Sequence, residues 1–205
     1  MFNNPADILS VVLRGAMGRS GRKRARRATK FLTGDGGFLT ASSVLAAAGV
    51  AWGIYDSVKR QDLPQVPRGA MVAPIPVLPA DLPNPVLQMI RLAVSASRAD
   101  GELSALEREQ ILSRARAAGL EAIIEPELTQ TSRPLAEIVQ GITDPAAGKE
   151  FYMLAFTIVR ADEVVTGGER IYLAQLAHRL GLDPATVAAT EAETTAKIDA
   201  SPDTE

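Results

Sequence analysis

Four acidic residues occupy matching places in two similar stretches of the chain, and their side chains could bind a metal ion or transfer protons. Asp100 and Glu107 lie in RADGELSALEREQI, and Asp162 and Glu169 lie in RADEVVTGGERIYL. Carboxylate oxygens are the ligands that Ca²⁺ and Mg²⁺ prefer, and paired carboxylates can also act as general acid and base. If the two stretches face each other, these four carboxylates predict a divalent-cation site assembled between helices.

A structural role is the alternative for the same residues. Asp100 and Asp162 each follow a predicted helix, at the end where the helix dipole disfavours negative charge. Hydrogen bonds from turn amides, or ion pairs with the arginine of each RAD sequence, would compensate for that placement. Neither stretch has the acidic spacing of an EF-hand loop, so a cation site within a single loop is excluded.

The residue types present exclude several other kinds of site. The chain has no cysteine, which excludes disulfides, zinc–thiolate sites and thiol chemistry. His178 is the only histidine. When the two similar parts of the chain are aligned, Arg116 occupies the position of His178, which indicates a position that tolerates different side chains. No nucleophile motif or phosphate-binding loop accompanies the carboxylates. We therefore expect a protein that is not an enzyme.

The elements that would position the carboxylates are helices arranged as an internal repeat. Residues 89–121 align without gaps with residues 151–183, and ten aligned positions are identical. Each copy predicts a helix, an acidic turn and a second helix, and each is followed by a shorter helix, from Pro134 and from Pro184. Because one hairpin cannot bury its apolar face alone, the two copies predict one all-α domain with pseudo-twofold symmetry.

Helix start and stop signals support this division. Capping boxes are predicted at Ser104–Glu107 and Thr166–Glu169. Glycines that end a helix are predicted at Gly119 and Gly181, and Asp-Pro helix starts at Asp144-Pro145 and Asp183-Pro184.

The N-terminal part of the chain differs in charge from the rest. Residues 1–60 carry ten Lys/Arg against three Asp/Glu, whereas residues 61–205 carry 12 against 21. Seven of the positive charges lie between Arg19 and Lys30, after a predicted amphipathic helix from about Ala6 to Met17. This run could bind nucleic acid or be a solvated tail, but it has no aromatic residue for base stacking. Its place before an apolar stretch favours an anchor to anionic lipid, and no nucleic-acid partner is expected.

The apolar stretch from Gly36 to Tyr55 contains no charged residue. As one helix of about 20 residues it would be long enough to cross a bilayer core. Trp52 and Tyr55 suit the lipid–water interface, and Gly49 and Gly53 suit close helix packing in lipid. Because Ala, Gly and Ser dilute its hydrophobicity, a buried helical hairpin in a soluble protein is the alternative.

Seven of the thirteen prolines lie between Pro64 and Pro85, which predicts a semi-rigid tether, with a proline-rich partner site as the alternative. The predicted divisions are an amphipathic and basic segment (1–35), a candidate transmembrane helix (36–56), a Pro-rich linker (57–85), the helical domain (86–198) and a disordered tail (199–205).

These features together resemble the TerB-like (tellurite-resistance) proteins, and in particular their YebE-type branch of the bacterial inner membrane. The resemblance rests on the acidic turns, the GLE and GLD helix ends and the Ala/Gly-rich apolar segment, and its TerB-like part covers roughly Pro85 to Ile198. It implies an all-helical domain whose metal-binding positions are Asp100, Glu107, Asp162 and Glu169. The second copy departs from the first in having Gly167-Gly168 in place of Ala105-Leu106, which would reshape the second turn.

The resemblance implies a non-enzymatic, membrane-tethered module that binds a partner protein or a divalent cation, Ca²⁺ or Mg²⁺, in an envelope or tellurite-type stress response. The alternative is a structural adaptor without metal that self-associates through its membrane helix. The expected location is the bacterial inner membrane, with membrane lipid as a partner. The basic N-terminal end is expected in the cytoplasm, and the helical domain could lie on either side.

Overall fold

A computed structural model describes residues 23–34, 37–44, 84–99, 101, 103, 105–117, 121–130, 133–161 and 165–201. All regular secondary structure in these residues is α-helical, so the predicted all-α fold class is confirmed. In chain order the helices are α1 (Lys23–Thr33), α2 (Phe38–Ala41), α3 (Asn84–Ala96), α4 (Ala105–Ala117), α5 (Glu121–Thr129), α6 (Leu135–Ile138), α7 (Pro145–Arg160), α8 (Gly167–Arg179) and α9 (Pro184–Ala200).

The two predicted Asp-Pro starts open helices α7 and α9. The Asp144 carboxylate accepts the Ala147 N–H at 2.9 Å, and the next residue is the proline at the first helical position. Asp183 accepts the N–H groups of Ala185 and Thr186 at 2.9 and 3.0 Å. These bonds satisfy donors that the first helical turn leaves without an intrahelical acceptor, so both predicted caps are confirmed.

Helix α8 closes at the glycine that the sequence indicates. Gly181 has φ +66°, a left-handed conformation that a residue with a Cβ adopts only at a cost. This turn lets the Leu182 N–H bond the Ala177 carbonyl at 3.0 Å, which satisfies one of the last carbonyls of the helix. Gly119, the matching residue of the first copy, lies outside the described residues.

Helix α7 is the centre of the fold, with α1, α3, α8 and α9 packed around it. Nearly its whole circumference is buried, as expected for a helix surrounded by others. Its buried residues are Gly148, Phe151, Tyr152, Leu154, Ala155, Phe156, Thr157, Ile158 and Val159.

Helix α9 buries a polar stripe without leaving its hydroxyl groups unsatisfied. Thr190, Thr194 and Ile198 recur every four residues and are fully buried. The Thr190 hydroxyl donates to the Thr186 carbonyl and the Thr194 hydroxyl to the Thr190 carbonyl, both at 2.7 Å. Because each hydroxyl bonds within its own helix, small β-branched residues can fill this packed face.

The basic segment contributes helix α1, which packs on α9 and α7. Ala25, Ala28, Phe31 and Leu32 are buried in the same core as the C-terminal helices. Among the described side chains of α1, those of Arg26 and Lys30 are exposed. The sequence prediction assigns residues 23–33 to a separate N-terminal segment, and in the structure the apolar side of α1 covers α9.

The predicted helix over residues 36–56 is interrupted near its start. Helix α2 ends at Ala41, and Ser42 has an extended backbone with φ −66° and ψ 120°. Ser42 is buried, and its hydroxyl and that of Ser43 both donate to the Glu150 carboxylate on α7. The N–H groups of Ser43 and Val44 bond the same carboxylate at 2.9 and 3.3 Å.

No helix among the described residues is long and apolar enough to cross a membrane. Most of the apolar stretch (45–55), the tether (57–83) and the predicted N-terminal helix from Ala6 to Met17 lie outside the described residues.

Three helices differ from the sequence prediction. Helix α5 (Glu121–Thr129) is not predicted, and it contains Pro126. The helix expected from Pro134 is a single turn, Leu135–Ile138. The helix from Pro184, which the sequence predicts to be short, has 17 residues. That last helix continues through Ala200, two residues beyond the predicted end of the helical domain at residue 198.

The two predicted copies agree in their second helices. Helix α4 spans Ala105–Ala117 and α8 spans Gly167–Arg179, so both ends are offset by the 62 residues that separate the sequence copies. The copies diverge after these helices, where α5 contains nine residues and α9 contains 17. Pseudo-twofold symmetry stays a prediction.

Candidate functional site

Among the four predicted metal ligands, only Glu169 has a described side chain. Asp100 and Asp162 lie outside the described residues, as does the side chain of Glu107. No group of three or more His, Cys, Asp or Glu side chains in the described part of the chain is placed to hold a metal ion.

Glu169 takes part in the capping box predicted for α8. Its carboxylate accepts the Thr166 backbone N–H at 2.6 Å, and the Thr166 hydroxyl accepts the Glu169 N–H at 3.2 Å. The side chain is buried, with 5% of the residue surface exposed. One of the four candidate carboxylates therefore satisfies a helix N-terminus, which supports the structural role over the metal-binding role at this position.

The first bend, which is the acidic turn between α3 and α4, meets the start of α8 at Ala99. A Cβ atom at Gly168 would lie 3.1 Å from the Ala99 carbonyl oxygen, closer than ordinary packing allows. Leu106, which aligns with Gly168, is instead 69% exposed. The glycine thus permits a close backbone approach in the second copy that has no counterpart at the start of α4.

Tyr172 provides a further contact between the copies. Burial raises the pKa of its hydroxyl, and the neighbouring side chain of Ser95 on α3 lowers this pKa by a smaller amount. The Tyr172 hydroxyl nevertheless lacks a hydrogen bond in the geometry of the described residues. Together with Ala99 and Gly168, this contact places the end of α3 beside the first two turns of α8.

The arginines of the two RAD sequences differ in their contacts. Arg98 donates to the carbonyls of Leu128 and Gln130 at 2.7 and 3.3 Å, so it caps the C-terminal end of α5. The guanidinium group of Arg160 makes no hydrogen bond or ion pair with any described residue, and neither does that of Arg170 on α8. Arg98 therefore caps α5 in the first copy, whereas its counterpart Arg160 has no partner among the described residues.

A groove of about 880 Å³ runs between α8 and α9 and has α7 as its floor. Both walls pack on α7. Apolar side chains line its base and the two arginines lie along the α7 and α8 side. The groove is lined by Phe156, Arg160, Val165, Arg170, Leu173, Ala188, Glu191, Ala192, Thr195, Ala196 and Asp199.

The α9 wall is fixed to α7 by polar contacts. The Tyr152 hydroxyl donates to the Glu191 carboxylate at 2.5 Å, and Lys149 pairs with Glu193 at 3.1 Å. Burial, and secondarily the hydrogen bond to Glu191, raises the pKa of Tyr152 far above its usual range. The phenol therefore remains a hydrogen-bond donor at all physiological pH values, and this groove wall does not change with pH through Tyr152.

A family model described as "Protein of unknown function (DUF533)" matches residues 9–194. The chain belongs to the DUF533 family. DUF533 is a TerB-like family, so the TerB-like resemblance is confirmed, while the YebE-type branch stays a prediction. No curated protein and no solved structure matches the chain.

The match of this DUF533 chain extends over α1 as well as the C-terminal helices, in agreement with their common core. Sequence reasoning did not find the groove. Its signal is the spacing of Ala188, Ala192 and Ala196 along α9, which places small residues on a face next to the Thr190–Thr194–Ile198 stripe. A stripe of alanines alone does not show whether a helix covers it.

Proposed function

We propose that this DUF533 chain is a non-enzymatic interaction module whose α8–α9 groove binds an amphipathic, acidic helix of a partner protein. The groove is the observation that carries the proposal: two helices stand apart on a common floor, which is the geometry of helix-in-groove recognition. Alanines on the α9 wall permit close approach of a helical backbone.

Charge defines the chemistry of the partner. Arg160 and Arg170 line the α7 and α8 side of the groove and are not paired with any described residue. The two carboxylates that line the groove, Glu191 and Asp199, both lie on the α9 wall, and Glu191 accepts a hydrogen bond from Tyr152. A ligand helix with carboxylates along one edge would pair with the two arginines while its apolar face covers Phe156 and Leu173. Arginine is the cation best suited to bidentate carboxylate pairing.

Site-specific photo-crosslinking tests this proposal. A photo-reactive amino acid at Ala192, which lines the groove, should crosslink to a helical segment rich in acidic residues when the full chain is expressed in bacteria. The same probe at Ala189, exposed on α9 but outside the groove, is the matched control. Equal crosslinking from both positions, or crosslinked peptides without acidic residues, would refute the proposal. Crosslinks to a second copy of the chain would support the self-associating adaptor instead.

Cation binding between the bends is a second candidate, favoured by the contact of Ala99 with Gly168. This contact brings the residue before Asp100 next to the capping box that contains Glu169. We expect Ca²⁺ or Mg²⁺ at millimolar concentration to raise the melting temperature of wild type but not of the Asp100→Asn/Asp162→Asn variant. If neither ion raises the wild-type melting temperature, the bends have a structural role only.

Membrane attachment and a role in a YebE-type envelope or tellurite stress response remain proposals, supported by the TerB-like family and the apolar stretch. After the break at Ser42, 13 uncharged residues remain up to Tyr55. A helix of that length would be about 20 Å long, which suits embedding in the lipid interface better than spanning it. Recovery of the chain in the soluble fraction without detergent would contradict attachment.

A further inference from the structure

The last turn of α9 lies beside the two arginines of the α8–α9 groove. Arg160 is the last residue of α7, Arg170 lies in the first turn of α8, and Asp199 lies in the last turn of α9. All three residues line the groove. The chain therefore leaves α9 next to the cationic groups that the proposed partner would bind.

The backbone after α9 turns away from the helix axis. Ser201 is extended, with φ −69° and ψ 121°, and its hydroxyl donates to the Lys197 carbonyl at 3.0 Å. The next residue is Pro202, and a proline disfavours the helical conformation in the residue before it. The helix therefore ends at this point of the groove.

The residues that follow are acidic and have a short reach. The acidic segment, residues 202–205, contains Asp203 and Glu205 and no cationic residue, and it lies outside the described residues. Its four residues extend at most roughly 13–14 Å from Ser201. This reach keeps both carboxylates near the end of the groove that α9 lines with Asp199.

The two arginines are available to these carboxylates. The guanidinium groups of Arg160 and Arg170 make no hydrogen bond or ion pair with any described residue. Guanidinium and carboxylate groups form the strongest charge-assisted hydrogen bonds between side chains. Since a connection of a few residues gives an effective concentration of roughly millimolar, even weak pairs form within one molecule.

We propose that Asp203 and Glu205 pair with Arg160 and Arg170 and so compete with the acidic helix of the partner protein. This inference rests on the proposed binding of that helix in the groove. A molecule whose arginines are paired with its own acidic segment cannot recognise the partner's carboxylates, so the apparent affinity falls with the fraction of molecules in the free state. Because exposed ion pairs are individually weak, we expect a reduction of about threefold.

Spin labelling tests the ion pairs without any partner protein. The chain has no cysteine, so Thr204→Cys gives a single labelling site between the two carboxylates. In the full chain, diluted with unlabelled protein to exclude contacts between molecules, a nitroxide at this site should broaden the amide NMR signal of Leu173, which lines the groove on α8. Asp203→Asn/Glu205→Gln should reduce this broadening.

Arginine variants of the spin-labelled chain supply the matched comparison. Arg160→Glu/Arg170→Glu should also reduce the broadening of Leu173, whereas Arg179→Glu, which lies on α8 outside the groove, should leave it unchanged. Equal broadening in all of these variants would overturn the proposed ion pairs, whether or not the groove binds a partner.

Photo-crosslinking from Ala192 tests the competition. Asp203→Asn/Glu205→Gln should increase the crosslinked product about threefold when the partner is not saturating. Glu109→Gln/Glu193→Gln removes two charges from exposed residues outside the groove and should leave the yield unchanged. If wild type crosslinks but neutralising the acidic segment does not raise the yield, competition is excluded. No crosslink from wild type would refute the proposed function, and competition with it, whereas spin labelling would still decide the ion pairs.

Discussion

At the scale of single residues, the structure assigns a task to one of the four candidate carboxylates, Glu169. Glu169 was predicted both to complete a capping box and to bind metal, and the structure places its carboxylate on the Thr166 N–H. A buried carboxylate that accepts a backbone hydrogen bond stabilises the helix start without any ligand. The same pattern at Ser104–Glu107 predicts the same task for Glu107.

The first prediction follows from this capping bond. Glu169→Ala should lower the free energy of unfolding by about 1–2 kcal/mol, because it leaves the Thr166 N–H without its acceptor. The control is Glu109→Ala, whose 62% exposed side chain pairs with Arg116 at the surface. Urea unfolding should show a change of less than about 0.5 kcal/mol for that control. Equal losses in both variants would show that the capping bond contributes no more to the free energy of unfolding than a surface ion pair does.

The second prediction concerns the two glycines at the start of α8. Gly167→Ala should stabilise the protein by up to about 1 kcal/mol, because alanine favours helix and no described atom lies within 4 Å of its Cβ position. Gly168→Ala should lose that gain or destabilise the fold, since its Cβ would press on the Ala99 carbonyl oxygen. Chemical denaturation of both variants measures the difference. A Gly168→Ala variant as stable as Gly167→Ala would mean that the first bend moves away freely.

Local signals at this scale were predictable from the sequence, whereas contacts between distant residues were not. The Asp144, Asp183 and Thr166 caps depend on residues within three positions of one another, so their spacing alone predicts them. The approach of Ala99 to Gly168 depends on how two hairpins pack. The sequence shows only that two glycines replace larger residues there.

At the scale of helices, α5 forms although it contains a proline, the residue with the lowest helix propensity. Pro126 suggests a helix boundary, because proline removes a hydrogen-bond donor and crowds the preceding turn. The helix nevertheless continues from Glu121 to Thr129, with Ile124 and Leu128 buried. Burial of these residues and the ion pair of Glu127 with Arg91 outweigh the local cost of the proline.

The third prediction compares two prolines. Pro126→Ala should raise the free energy of unfolding by about 1–2 kcal/mol, because alanine restores an N–H donor inside α5. This net value already includes the opposing effect of alanine, which increases the conformational entropy of the unfolded chain. Pro184→Ala is the control, since Pro184 occupies the first helical position of α9, where proline is favourable. That control should be neutral or destabilising by up to about 1 kcal/mol. Urea unfolding of the two variants measures both, and stabilisation by Pro184→Ala alone would contradict the account.

At the scale of the whole molecule, α1 and the C-terminal helices form one core among the described residues. The sequence predicted separate segments because charge and composition change sharply between them. A local pattern shows that α1 is amphipathic but not which surface covers its apolar side. In the structure α9 and α7 cover it, and Glu150 on α7 accepts hydrogen bonds from the N–H groups of Ser43 and Val44.

The fourth prediction tests this junction. Glu150→Ala should increase amide hydrogen exchange at Ser43 and Val44 at least tenfold, because both N–H groups lose their acceptor, and should loosen α1 as well. Glu193→Ala is the matched control, since Glu193 pairs with lysines at the surface of α9 and does not touch the segment. Unchanged exchange in the Glu150 variant would show that the junction is held by apolar contacts alone.

The most direct test of the α8–α9 groove as a binding site is the yield of photo-crosslinks from position Ala192 after charge reversal. We predict that Arg160→Glu/Arg170→Glu reduces the crosslinked product by about tenfold, because the partner's carboxylates would face like charges. Arg179→Glu, which reverses one arginine charge on α8 outside the groove, should leave the yield unchanged. An unchanged yield in the double variant, or an equal loss with Arg179→Glu, would contradict recognition of an acidic helix in this groove.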